Sequence, residues 1–80
     1  MTRDEALELI KLALTKVLKR NVGIAPNTDL IAEGILDSLD SMVFALEIET
    51  VSGRKFPPDI DLVEAGYYKV PRLTEFLAHE

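Results

Sequence analysis

Apolar residues recur along the first eighteen positions at the three-and-four spacing of a helix, with Leu7, Ile10, Ala13, Leu14, Val17 and Leu18 on one face. Thr2-Arg3-Asp4-Glu5 fits a capping box in front of them, Thr2 as N-cap and Glu5 at the third helical position. Lys19 and Arg20 suit the negative end of the dipole, and Gly23 follows just beyond. From 21 to 37 the period is replaced by Gly23, Pro26, Asn27 and Gly34, which predicts a long loop whose Ile24, Leu30, Ile31, Ile35 and Leu36 tuck into the core. The helical period returns from Ser38 to Ser52 and stops at Gly53. There Phe44, Ala45, Ile48 and Val51 make a core stripe flanked by Leu39, Met42 and Leu46, while Asp40, Val43, Glu47 and Thr50 fall on the opposite face. Pro57-Pro58 prevents continuation and turns the chain. Asp61-Leu62-Val63-Glu64 reads as the capped start of a short third helix closed by Gly66. Pro71 is placed to open a fourth helix running to about Ala78, with Leu73, Phe76 and Leu77 inward. Of Tyr67-Tyr68, the second is expected in the core and the first at the surface. The predicted fold is all-α: a four-helix bundle with a long loop after helix one and a short third helix.

Composition narrows the function more than the fold. Eighty residues make one small domain, 1–80, with room for a single core. At 48% apolar and 29% charged the chain is too hydrophobic to be disordered, and no apolar run is long enough for membrane insertion. Met1-Thr2-Arg3-Asp4-Glu5 is acidic where a secretory signal needs a basic start and an apolar stretch, so a cytoplasmic location is expected. A monomer is expected. There is no cysteine, and the single histidine, His79, sits next to the last residue. A disulfide, a thiolate or histidine metal site, a cysteine nucleophile and a catalytic triad are all excluded, so no catalytic residue and no metal ligand is assigned.

Charge is distributed unevenly. Residues 1 to 28 carry five basic and three acidic side chains, a balance of +2; residues 29 to 64 carry two basic and nine acidic, a balance of -7; the remainder is neutral, giving -5 in all. An acidic middle segment favours partners with basic patches and repels nucleic acid.

That acidic region contains Asp37-Ser38-Leu39, where a hydroxyl meets a helix start. One reading is a plain capped helix, with Asp37 or Ser38 as N-cap. The other is chemical: a serine at this junction can hold its side chain outside the helix while the first orphan N–H groups face an anion attached to its oxygen, which suits a phosphodiester.

The segment Asp29-Leu30-Ile31-Ala32-Glu33-Gly34-Ile35-Leu36-Asp37-Ser38-Leu39-Asp40-Ser41-Met42 resembles the prosthetic-group site of acyl and peptidyl carrier proteins. Gly53, Phe56 and Pro57 fall, without a gap, where that family places a small residue, an apolar residue and proline after its second helix. Tyr68-Lys69-Val70-Pro71-Arg72-Leu73 is similar to its approach to the last helix, so the likeness covers nearly the whole chain. The resemblance implies a non-catalytic carrier whose cofactor, covalent 4'-phosphopantetheine from coenzyme A, is attached to Ser38 by a phosphopantetheinyl transferase. It also implies thioester-bound cargo delivered by an acyl- or amino acid-activating ligase and passed to a downstream transferase or synthase. Asp37 and Asp40 would meet the basic surface of the transferase, and Leu39, Met42, Val43, Leu46 and Glu47 would serve transient docking. Tyr67 or Tyr68 could wall the prosthetic arm.

Two departures bear on cargo. Carriers of primary fatty acid synthesis usually read Gly-Ala-Asp-Ser-Leu at the site and place a glutamate where this chain has Val43; here Ile35-Leu36 precede Asp37. The sequence is closer to discrete carriers of a single amino acid and to some specialised acyl carriers, and the aminoacyl reading is preferred. The alternative from another class is an unmodified helical interaction protein that shares the bundle and uses Ser38 only as a cap.

Overall fold

The computed structural model describes residues 1–78, so His79 and its role lie outside the described residues. It contains three helices, α1 (Arg3–Leu18), α2 (Ser38–Ser52) and α3 (Val70–Ala78). The capping box at the start of α1 forms in both directions: the Thr2 N–H donates to Glu5 Oε1 at 2.8 Å and the Glu5 N–H donates to Thr2 Oγ1 at 3.1 Å. The bonds from Thr2 hold the Glu5 carboxyl below its ordinary pKa. The other end of α1 differs from expectation. Lys19 itself takes the left-handed conformation, with φ 59°, and its N–H donates to the Thr15 carbonyl; Gly23 has no part in stopping the helix. Ala6, Ile10, Ala13 and Leu14 are buried, and α1 packs against both α2 and α3.

The loop after α1 is built from local turns. Thr28 Oγ1 accepts the Ala25 N–H at 2.8 Å, and Asp29 Oδ1 accepts the N–H groups of Ile31 and Ala32 at 3.0 and 2.9 Å. Gly34, at φ +73°, then reverses the chain. Backbone bonds stitch this loop to the start of α3: Leu30 N–H to the Tyr68 carbonyl at 2.9 Å, and Val70 N–H to the Thr28 carbonyl at 2.8 Å, flanking an isolated bridge between Asp29 and Lys69. Leu30 and Leu36 are buried as expected, with Ile24, Ile31 and Ile35 packed around them.

Two sequence expectations are corrected in the C-terminal third. The segment from Asp61 to Gly66 is a run of turns, leaving three helices among the described residues where four were expected. Its cap is present, with Asp61 Oδ1 accepting the Val63 and Glu64 N–H groups, and so is the stop, Gly66 at φ +79°. They are too close for a helical ladder to propagate. Only the Ala65 N–H reaches back four residues, to Asp61, whereas Gly66 bonds three back and Tyr67 five back. Tyr67, expected at the surface, is buried. Its ring stands edge-on to Phe56 and Phe76, with centroids 5.2 and 5.5 Å away, and those two stack on each other at 4.6 Å. The Arg72 guanidinium lies over the Tyr67 ring, 4.7 Å from its centroid. Helix α3 begins at Val70, one residue before Pro71, and buries Val70, Leu73 and Leu77, with Phe76 half-buried.

Candidate functional site

The structure decides which residue caps α2. Asp37 has extended backbone angles, its Oδ1 accepts the Asp40 N–H at 2.7 Å, and its carbonyl accepts the first helical bond, from Ser41, at 2.9 Å. Ser38 is therefore the first residue of the helix proper. It is exposed, and among the described residues neither its hydroxyl nor the N–H groups of Ser38 and Leu39 have a hydrogen-bond partner. The positive end of the α2 dipole is thus open at the residue that carries the hydroxyl.

Ser41, one turn further on, has the opposite character. It is buried, its Oγ donates to the Ser38 carbonyl at 2.8 Å, and its own carbonyl accepts the Tyr68 phenol at 2.9 Å. Burial raises the Tyr68 pKa, which keeps the phenol protonated as a donor at neutral pH. Sequence reasoning missed Ser41, although a signal was there: the buried line of α2 runs through Ser41, Phe44 and Ile48. Continued at the four-residue spacing it passes to half-buried Ser52 and leaves Val51 exposed, which corrects the place of Val51 in the core stripe.

Beside Ser38 a cleft of about 450 Å³ opens between α2 and the turns after Asp61. Ile31, Leu36, Met42, Leu62, Val63 and Tyr68 line it, and the carboxylates of Asp37 and Asp61 border it. An open helix N-terminus suits a phosphodiester on Ser38 Oγ, and the adjoining mostly apolar cleft can take a flexible chain extending from it.

Of the other residues singled out from the sequence, Leu39, Met42, Val43 and Leu46 form an apolar strip along α2, each between 47 and 70% exposed. Asp40 is half-buried at the start of the strip. Glu47 stands apart: its side chain is only 16% exposed and pairs with Lys16 of α1 at 3.3 Å, so its charge is already met within the fold.

The sequence profile of the phosphopantetheine attachment site family matches residues 8–66, from α1 through Ser38 to the turn at Gly66. Comparison with curated proteins and with solved structures returns no significant match. Among the described residues no helix is long and apolar enough to cross a membrane. With that profile spanning well over half of the 80 residues and an exposed serine opening the second of its helices, the chain belongs to the phosphopantetheine attachment site family, as a non-catalytic carrier protein whose cofactor is covalently bound 4'-phosphopantetheine.

Proposed function

We propose that Ser38 is the attachment residue of a one-domain cytoplasmic carrier that holds acyl or aminoacyl groups as thioesters, with an aminoacyl or other specialised cargo preferred over primary fatty acid synthesis. One observation carries the assignment of the residue. Within the matched segment Ser38 offers an exposed, unbonded hydroxyl at an open helix N-terminus, while nearby Ser41 is buried and its hydroxyl is committed to the Ser38 carbonyl.

Carrier domains are substrates of phosphopantetheinyl transferases and dock to partner synthases or transferases. On the transferase, with Mg2+, Ser38 Oγ attacks the pantetheine-side phosphorus of coenzyme A. The pyrophosphate bond breaks, the adenosine bisphosphate half leaves, and the serine proton passes to a base of the transferase. When bound, the group supplies the terminal thiol that this cysteine-free polypeptide lacks. The chain's own contribution is presentation: Asp37 fixes the helix start, the N–H groups of Ser38 and Leu39 would serve the phosphodiester, and the strip Leu39, Met42, Val43 and Leu46 would give docking area. Glu47, paired with Lys16, braces that face from α1.

Asp37 and Asp40 place negative charge beside the hydroxyl and should speed encounter with a basic transferase. Asp37→Asn tests this cleanly, because asparagine keeps a capping oxygen and loses only the charge. Asp37→Asn and Asp40→Asn should each lower kcat/KM for modification several-fold at low ionic strength, with the difference fading as salt is raised. Glu75→Gln, on α3, should do neither, and equal sensitivity at all three positions would reduce the acidic surface to a generic one.

The cargo preference rests on Val43 and on the Ile35-Leu36 approach. The holo protein should be charged with an amino acid by a stand-alone adenylating ligase in an ATP-dependent reaction, giving a thioester labile to hydroxylamine. It should be a poor acceptor for a malonyl transferase, and Val43→Glu should improve it. Efficient malonylation of the unaltered protein, with no charging by an amino acid ligase from its own source, would reverse the preference and leave the carrier assignment in place.

A further inference from the structure

Tyr68 is tied to the Ser38 turn from two directions. Through its side chain, the buried phenol donates to the Ser41 carbonyl at 2.9 Å, and the Ser41 hydroxyl in turn holds the Ser38 carbonyl at 2.8 Å. Through its backbone, the Tyr68 carbonyl accepts the Leu30 N–H at 2.9 Å, and the Leu30 carbonyl accepts the Leu36 N–H at 2.9 Å, two residues before Ser38. One residue thus braces both the loop that delivers the serine and the first turn of the helix that presents it. Its ring also lines the cleft at Ser38 and packs against Phe44, centroids 6.4 Å apart.

The Ser41 carbonyl sits in the first turn of α2, where helices fray most readily because so few of the N-terminal groups have intrahelical partners. The bond gives the buried phenol the acceptor it needs and, in doing so, ties that turn to a residue 27 positions away in the chain. Tyr67 provides the contrast. It is equally buried, but its phenol oxygen meets Arg72 at 3.4 Å within the aromatic cluster of Phe56 and Phe76, and it makes no bond to α2 among the described residues.

We infer that Tyr68 is a positioning residue for phosphopantetheine attachment: its phenol, acting through Ser41, fixes the first turn of α2 so that Ser38 Oγ is held outward for attack. This rests on Ser38 being the attachment residue. It concerns the turnover of the docked carrier and not its docking, since neither Tyr68 nor Ser41 is exposed to a partner.

The experiment compares wild type, Tyr68→Phe, Ser41→Ala and Tyr67→Phe as substrates of a phosphopantetheinyl transferase with coenzyme A, with peptide mapping of each product. Tyr68→Phe keeps the ring and removes only the hydroxyl. It should lower kcat by about five-fold, the factor expected from one lost hydrogen bond, and leave KM for the carrier unchanged. Amide exchange should quicken at residues 41 and 42 while Ile48 stays protected. Ser41→Ala should act in the same direction, and the double variant should lose less than the product of the two, because both act through one turn. Tyr67→Phe should retain the wild-type kcat. Modification of Tyr68→Phe on Ser38 at the wild-type kcat, or a loss appearing equally in Tyr67→Phe, would overturn the positioning role alone. Mapping of the group to another residue would instead remove the assignment of Ser38 on which it rests.

Discussion

Ser38→Ala should abolish phosphopantetheine attachment entirely while unfolding within about 3 °C of the wild type, the range of a surface substitution outside any special feature. The two halves of that result are separable because Asp37 caps α2 and Ser38 does not: the bond that holds the helix start runs from the Asp40 N–H to Asp37 Oδ1 at 2.7 Å. Alanine at the first helical position loses no protein hydrogen bond and is a good helix former. Asp37→Ala should show the converse, a cost of about 1 kcal/mol from the lost cap, with the Ser38 hydroxyl still present. Intact mass after incubation with coenzyme A and a transferase reads the first property, and thermal unfolding followed by circular dichroism reads the second. A Ser38→Ala protein less stable than Asp37→Ala would mean that the serine, not the aspartate, terminates the helix.

A comparably large effect on stability is expected two residues away from one with almost none. Phe44 is the largest of the fully buried side chains and faces the core from the middle of α2. Phe44→Ala should cost about 3–5 kcal/mol through lost transfer free energy and an unfilled cavity. A chain of 80 residues has only about 4–12 kcal/mol in total, so a substantial fraction should be unfolded at moderate temperature. Leu46, also on α2, is 64% exposed. Leu46→Ala should change stability by at most about 0.5 kcal/mol and, on the proposed docking role, should raise KM for partner enzymes instead. Urea unfolding of the two variants beside transferase kinetics checks the division of α2 into a core face and a recognition face. Similar destabilisation by both, or kinetic loss from neither, would contradict it.

The features legible in the sequence were those that local chemistry determines. Thr2 with Glu5, and Gly53 after Ser52, are caps whose partners lie within four residues, and the start of α2 was placed at Asp37-Ser38 with the choice of cap between them left to the structure. The apolar strip on α2 was legible only in part: the sequence set Leu39, Met42 and Leu46 beside the core stripe and Val43 opposite it, and the structure leaves all four exposed. What escaped depends on distant parts of the chain. The burial of Tyr67 follows from Phe56 and Phe76 meeting it in space, and the ion pair of Glu47 from Lys16 on another helix. The role of Ser41 becomes visible only when Tyr68 arrives from beyond the turns at 61–66. Those turns also carried both helix signals, a cap and a stop, and the count of residues between them decided against a helix. The exposed hydroxyl at the start of α2 was legible from position and motif; the bonds from Tyr68 and Ser41 to that turn were not.

The most direct test is the intact mass of the unaltered protein, before and after incubation with coenzyme A, Mg2+ and a broad-specificity phosphopantetheinyl transferase, followed by fragmentation of the modified peptide. The expected result is the gain of one phosphopantetheinyl group and no more, located on Ser38 between Asp37 and Leu39. No mass gain with a transferase active on other carriers, or a group located on Ser52 or any residue other than Ser38, would contradict it.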